Sequence, residues 1–427
     1  MQDSSAARSV EFSPWTTLQI ANDLTLRVCY FTGSKRQRAL VCLCGRRRTR
    51  FLRRRTCAAN FALRVRRNMN CLKACGNDFF LKRLTRAPLM ILLFLAAIVC
   101  SVDPAAAQGK APCKEVRKVK LGVPVSPPNV VHTPVFVARE LGIFASHCIE
   151  AEIVEFEGGL SAANLAAVAQ GQALASMNAT AIAQGLKAKQ IWGMAPRLPQ
   201  AYMVSEEIKT AADLKGKRLS ATGGGVGGFN WVMGREVLKT AGLTVNDVQF
   251  ISQATAGRLP GLVAGQIQGV ALHPEDVYLA QKQKPGSHVL VDLAQLLPKY
   301  FFNAYGAADS LIAKDRALVR DVVISLIEAN RAIYTQKEKV LPVMTQATKK
   351  SQEAVNFSYD YLVKNCVWSV NTGFSKERTE WSIDNSIENG DIQADKKPSY
   401  EQVVDVKLGE EALKTAGGPT KIRGCGD

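Results

Sequence analysis

The chain has 427 residues and a formal net charge of +18, a balance that at first suggests a polyanionic partner. The charge sits at one end: residues 1–107 carry 19 Lys and Arg against 5 Asp and Glu, which leaves 36 against 32 for residues 108–427. So mildly basic a body argues against nucleic acid as its partner, and the absence of C-x-x-C or H-x-x-H spacing after residue 107 argues against a metal cluster.

Residues 1–80 form a basic extension. Its stretch "CGRRRTRFLRRRTCAANFALRVRR" (44–67) shows no helical or strand period and no histidine to partner its cysteines. It reads as a misassigned start or a disordered arm, with translation beginning at Met69 or Met90; a basic arm for nucleic acid is the alternative. Residues 81–107 read as a signal peptide. Lys82, Arg83 and Arg86 precede the apolar run Leu89–Val99, and Pro104 precedes Ala105-Ala106-Ala107, an A-x-A cleavage site before Gln108. The run is shorter than the roughly 20 apolar residues of a membrane span. Export is expected, with a retained anchor as the alternative.

Beyond cleavage, Cys113, Cys148, Cys366 and Cys425 remain, and three pairings are open in an oxidising compartment. Cys113 precedes the first expected strand and Cys148 the second, which favours Cys113–Cys148 with Cys366–Cys425. From residue 116 short β-rich runs alternate with helical segments: "VRKVKLGVPV" as strand, "TPVFVARELGIFASHC" as helix stopped by Gly142, then "IEAEIVEF", "AANLAAVAQGQ", "ALASMN", "ATAIAQGLKA" and "QIWGMA". Such alternation predicts a parallel sheet. "AYMVSEEIKTAADLKGKRLSAT" is an extended crossing, after which the alternation restarts and runs to "HVLVD"; "FFNAYGAADSLIAKD" is a second crossing. Helices follow, and Leu318, Val322, Leu326 and Ile333 share one face. The expectation is an α/β protein of two lobes joined by a two-strand hinge: residues 108–205 first lobe, 206–302 second lobe, and 303–427 a return to the first lobe with C-terminal helices.

Several stretches resemble the type II periplasmic solute-binding proteins of ABC importers, in the nitrate, sulfonate, taurine and thiamine-precursor group. They are "VKLGVPVSPPNVVHTPVFVARELGIF", "VEFEGGLSAANLAAVAQGQALAS", "IKTAADLKGKRLSAT" and "GRLPGLVAGQIQGVALHPED", in the family's order, with "YEQVVDVKLGEEALKTAG" similar to its closing segment. Ala173 and Gly269 stand where the family often has Asp. The resemblance implies a periplasmic-binding-protein-like type II fold, a small-molecule ligand in the cleft between the lobes, permease subunits of an ABC importer as partners, a monomer, a periplasmic location and no cofactor.

Ligands of such folds lie beyond the carboxyl ends of the strands. This places Ser126, Asn129, His132 and Thr133 in a first loop, Gly159 and Ser161 in a second, and Asn178 and Thr180 in a third. A fourth is "ATGGGVGGFN", with Thr222, Gly225, Gly227, Gly228 and Asn230. Thr255, Arg258, His273 and Glu275, with Gln253, follow strand ends of the second lobe. His132 reads equally as a helix-cap residue and Asn178 as an N-cap. Arg258 suits a carboxylate or sulfonate, or a bridge to a neighbouring acid. Trp192, Trp231, Tyr202, Phe302 and Tyr305 are aromatic candidates, most of them expected in the core.

The glycine run contains G-x-G-x-x-G, but no acid ends the following strand and Phe229 stands where a phosphate loop needs Lys. No nucleophile sits beside a base, and no catalytic or metal-ligating residue is assigned. The expected function is capture of a small, anionic organic molecule for an importer. An exported ligand sensor is the alternative, and an enzyme resembling thiamine-pyrimidine synthase a remoter one, since its cysteine-rich motif is missing.

Overall fold

The computed structural model describes three strands between residues 15 and 44 and, from Cys113 to Gly426, every residue except Leu160 and residues 222–224. The signal-like segment 81–107 and the candidate Thr222 lie outside the described residues. Contacts divide the chain into Met1–Ala106 and Ala107–Asp427. In the first unit β1 (Trp15–Gln19), β2 (Thr25–Tyr30) and β3 (Ala39–Cys44) form an antiparallel sheet in that order.

In the second unit β4 (Arg117–Val123) alternates until it turns inward at Leu121 and Val123, both fully buried. Its exposed lysines meet acids across the parallel strand β5 (Ile149–Glu155): Lys118 faces Glu150 and Lys120 faces Glu152, at 3.4 and 3.5 Å. Between them α1 (Pro134–Glu140) starts on a proline, whose missing N–H costs nothing at that position. It stops before Gly142, whose φ of +70° is left-handed as the sequence required. Next come α2 (Ala162–Ala169), β6 (Ala175–Met177), α3 (Ala179–Ala183) and β7 (Ala188–Ala195).

The chain then crosses into β8 (Ala201–Val204), β9 (Arg218–Ser220), α4 (Phe229–Lys239), β10 (Gln249–Ile251), α5 (Arg258–Val263), β11 (Gly269–Leu272), α6 (Pro274–Gln283) and β12 (His288–Asp292). It returns through β13 (Asn303–Ala308) to α7 (Asp309–Lys314), α8 (Arg316–Thr335), α9 (Lys337–Thr348), α10 (Gln352–Lys364), α11 (Lys376–Glu388) and α12 (Val406–Thr415).

Two sheets result, with one plan. The second runs β10-β9-β11-β8-β12, its first three strands parallel and β8 antiparallel to both neighbours. In the first, β13 lies antiparallel between β6 and β7, and a Leu121–Leu174 bridge joins β6 to β4 and β5. Each sheet thus takes its fourth strand from the chain segment that has just crossed over. The expected boundary at 205/206 would leave β8 with the first lobe, whereas its hydrogen bonds set it in the second sheet.

The expected face of α8 is buried at Leu318, Val322, Leu326 and Ile333, inside the largest core, which covers the first sheet. Two smaller cores line the second sheet. Disulfides join Cys113 to Cys148 and Cys366 to Cys425, the pairing favoured from the sequence. Among the described residues no helix is long and apolar enough to cross a membrane.

Candidate functional site

A cavity of about 360 Å³ opens where the strand ends of the two sheets face each other. The first sheet contributes His132, Gly159, Asn178 and Thr180 to its wall, and the second contributes Gly227, Gly228, Asn230, Thr255, Arg258 and His273. Ten of the sequence candidates are brought together in this way.

His132 ends a 3-10 turn just before α1, and His273 sits between β11 and the proline that starts α6. Their rings meet edge to face with centroids 5.4 Å apart, and Phe302 lies 6.0 Å from each. Burial holds His132 well below the ordinary histidine pKa, helped by His273 and Arg258; burial does the same for His273, helped by Arg258 and Lys350. Both rings are therefore neutral near pH 7, each with one donor and one acceptor nitrogen. His273 Nε2 lies 3.2 Å from the Gln200 amide nitrogen, while Nδ1 of either ring has no partner among the described residues. Thr255 Oγ1 and Asn303 Oδ1, also buried on this wall, have none. Leaving a buried polar group unpaired costs about 1–3 kcal/mol, and four such atoms belong to residues of this one wall.

The glycine turn delivers the start of α4 to the wall. Gly227 takes a φ of +80°, a conformation open to glycine. Gly228 caps the helix without a side-chain bond, which leaves the first-turn N–H groups to main chain or ligand. Asn230 is a strut as well as wall, since its Oδ1 accepts from Ala271 N at 2.8 Å. Asn178 caps α3 through Ala181 N at 3.1 Å while its residue lines the cavity.

The other candidates point elsewhere. Ser126 donates to Glu155 at 2.7 Å, Thr133 donates to Val130 O at 2.7 Å, and Ser161 caps α2. Gly225 is off the wall, and Gln253 packs under Gly257 and Gly261. Asn129 and Glu275 belong to a buried clasp across the cleft. Glu275 Oε1 accepts from Asn129 Nδ2 at 2.9 Å and Val130 N at 3.0 Å, and its Oε2 from Ser358 Oγ at 2.7 Å. Arg258 donates to Asn129 Oδ1 at 2.9 Å and lies 3.8 Å from Asp276, which also pairs with Lys350. Arg258 thus has the neighbouring acid that was its alternative fate. Of the aromatic candidates only Phe302 reaches the wall; Trp192, Tyr202 and Tyr305 are core, and Trp231 packs on Phe250 under Arg235.

The wall also holds residues that sequence reasoning missed. Ser176, Gln184 and Asn303 adjoin named candidates, and proximity in sequence was their signal. Arg235, on α4, Asn385 and Ser386, on α11, and Asp391, just after it, had no motif to mark them. Arg235 forks onto Asp391 with bonds of 3.1 and 2.9 Å and also touches Glu236 at 3.1 Å. Among the described residues no group of three or more His, Cys, Asp or Glu is placed to hold a metal ion.

Two α/β lobes of matching sheet order, with a walled cavity at their facing strand ends, define the periplasmic-binding-protein-like type II class. Residues 129–339 match the family model described as NMT1/THI5 like. Similar solved structures share the fold. The periplasmic nitrate-binding protein NrtA of Synechocystis PCC 6803 has 16% identity and a TM-score of 0.57, covering 70% of this chain and 89% of its own. The periplasmic aliphatic sulphonate binding protein SsuA of Escherichia coli has 20% identity and a TM-score of 0.52, covering 68% and 92%. The alkanesulfonate-binding SsuA of Xanthomonas axonopodis pv. citri, bound to MOPS, has 15% identity and a TM-score of 0.52, covering 69% and 99%. No curated protein matches the chain.

Proposed function

We propose that the chain is exported through residues 81–107, cleaved between Ala107 and Gln108, and acts in the periplasm as a monomeric solute-binding protein. It captures a small organic anion in the cleft and hands it to the permease subunits of an ABC importer. The observation that carries this reading is the cavity of about 360 Å³ between the facing strand ends of the two sheets, walled by polar residues of both, among them His132, Asn178, Asn230, Thr255 and His273. The acidic group is met by the uncapped start of α4 rather than by a free cation, because Arg235 and Arg258 already face carboxylates. Binding to both lobes at once favours the closed arrangement.

The test is a thermal-shift screen of sulfonates, aromatic acids, nitrate and pyrimidines. A stabilising acid is the expected outcome, and its effect is lost in Thr255→Val. Stabilisation by cations or sugars alone would refute the anionic reading. N-terminal sequencing of the secreted protein checks the cleavage site.

A further inference from the structure

The cleft has a third wall, and we infer that it reads a second, neutral end of the ligand. The captured molecule is an acid that also carries a hydroxyl or carboxamide group, bonded by Thr180 and Gln184 of α3 with Asn385 and Ser386 of α11. This deepens the proposed capture of an organic anion and rests on that reading.

Apolar packing holds this wall from both sides. Trp381, on α11, meets Tyr300 edge to face with centroids 6.5 Å apart, against the core of the second sheet. Ile383 and Ile387 turn the other way, as the helical repeat directs, and pack with Ala179, Ile182 and Ala183 of α3. The residues beside this seam are polar and line the cavity. Thr180 and Gln184 stand one turn apart along α3 and its C-cap, and Asn385 and Ser386 lie between the two isoleucines. Their main chain is occupied with itself: Gln184 N donates to Thr180 O at 3.0 Å, and Ser386 O accepts from Asp391 N at 2.8 Å. Their two hydroxyls and two side-chain amides have no partner among the described residues.

Hydroxyls and carboxamides both donate and accept, so this surface suits a ligand group that does both. A charged tail suits it less. Asp391, which adjoins α11 on the wall, already accepts from two Arg235 nitrogens at 3.1 and 2.9 Å, and a second ionic group would have to break that fork. A bare alkyl tail would cover the four side chains without bonding them, which takes polar groups from water with no compensation. The wall also carries rings: Phe229 and Phe302 meet edge to face at 5.5 Å, and Phe302 stands 6.0 Å from both histidines. A cavity of about 360 Å³ has room for a ring substituted at both ends.

The test is calorimetric titration of the purified protein with matched acids that differ only at the tail. The pairs are para-hydroxybenzenesulfonate with para-methylbenzenesulfonate, para-hydroxybenzoate with para-methylbenzoate, and hydroxypropanesulfonate with butanesulfonate. Hydroxyl and methyl are close in size, so the ratio within a pair reads hydrogen bonding. In the parent the hydroxyl member binds about tenfold or more tightly, since a site built to bond a hydroxyl rejects the analogue without one. The ratio falls towards unity in Asn385→Leu and in Thr180→Val. The methyl acid is titrated against the same variant, so damage to the fold or the cleft lowers both members and leaves the ratio alone. A parent ratio near one overturns the inference, and so does a hydroxyl preference that survives both variants. Failure of all three hydroxylated acids to bind overturns it as well. Capture of an acid as such is read separately, from the thermal-shift screen, and stands or falls there.

Discussion

Glu275 shows how little a residue's position past a strand end says about where its side chain points. It follows His273 by two residues, and both were candidates for the cleft. His273 faces the cavity, while Glu275 turns back into the buried clasp with Asn129, Val130 and Ser358. The partner Ser358 lies on α10, remote in sequence, so nothing local could have announced it. Glu275→Ala removes both accepting oxygens and takes from Val130 N and Ser358 Oγ the partner they have in the clasp. We expect it to lower the unfolding free energy by about 3 kcal/mol, measured by urea denaturation; a change within error of zero would show that the clasp contributes nothing. Residue types were read correctly more often than directions. Asn230, after the glycine turn, reaches the wall, but Thr133 and Ser161 spend their hydroxyls on local bonds and Ser126 spends its own on Glu155.

At the scale of elements, the alternation of runs was legible because many of the strands and helices are bounded by Gly, Pro, Asn or Ser. Sheet membership was harder. β8 reads "AYMV", and its last three residues are buried in sequence, so no polar face shows which sheet it joins. Another contact without a sequence signal is the edge of β7, where Gly193 N donates to Thr372 O at 2.8 Å and Ser369 N to Met194 O at 3.1 Å. The two backbones come so close that a Cβ on Gly193 would sit 2.4 Å from Gly373 O. Backbone cannot swing aside as a side chain does. Gly193→Ala is therefore expected to cost about 3 kcal/mol. Gly142→Ala, where the backbone is left-handed but the space is open, is expected to cost about 1–2 kcal/mol. Thermal unfolding of the two variants side by side checks the order.

Across the whole molecule, the doubled plan was legible because two rounds of strand and helix are separated by extended crossings. The wall supplied by residues 385–391 was not, since a segment so late in the chain carries no mark of the cleft it closes. The two lobes also meet through an ionisable pair. His132 comes from the first lobe and His273 from the second, and burial keeps both neutral in the folded protein. In the unfolded chain they titrate near 6.5. As pH falls below that value the unfolded chain takes up protons that the folded one refuses, so stability drops until the lower folded values are reached. Between about pH 7 and pH 5, the loss of urea midpoint should be smaller in His273→Gln than in the parent; an equal loss would remove this histidine from the acid response.

The threading of the two sheets also fixes an order in time. All five strands of the second sheet lie in one stretch of chain, from Ala201 to Asp292, whereas β13, which fits between β6 and β7, begins only at Asn303. A chain emerging amino end first therefore completes the later lobe before the earlier one. While residues 196–302 are still appearing, the edges of β6 and β7 that will receive β13 stand open, as templates for any other strand that arrives. The lobe written first is finished last, and the interval before β13 emerges is when the nascent chain most needs protection from its neighbours.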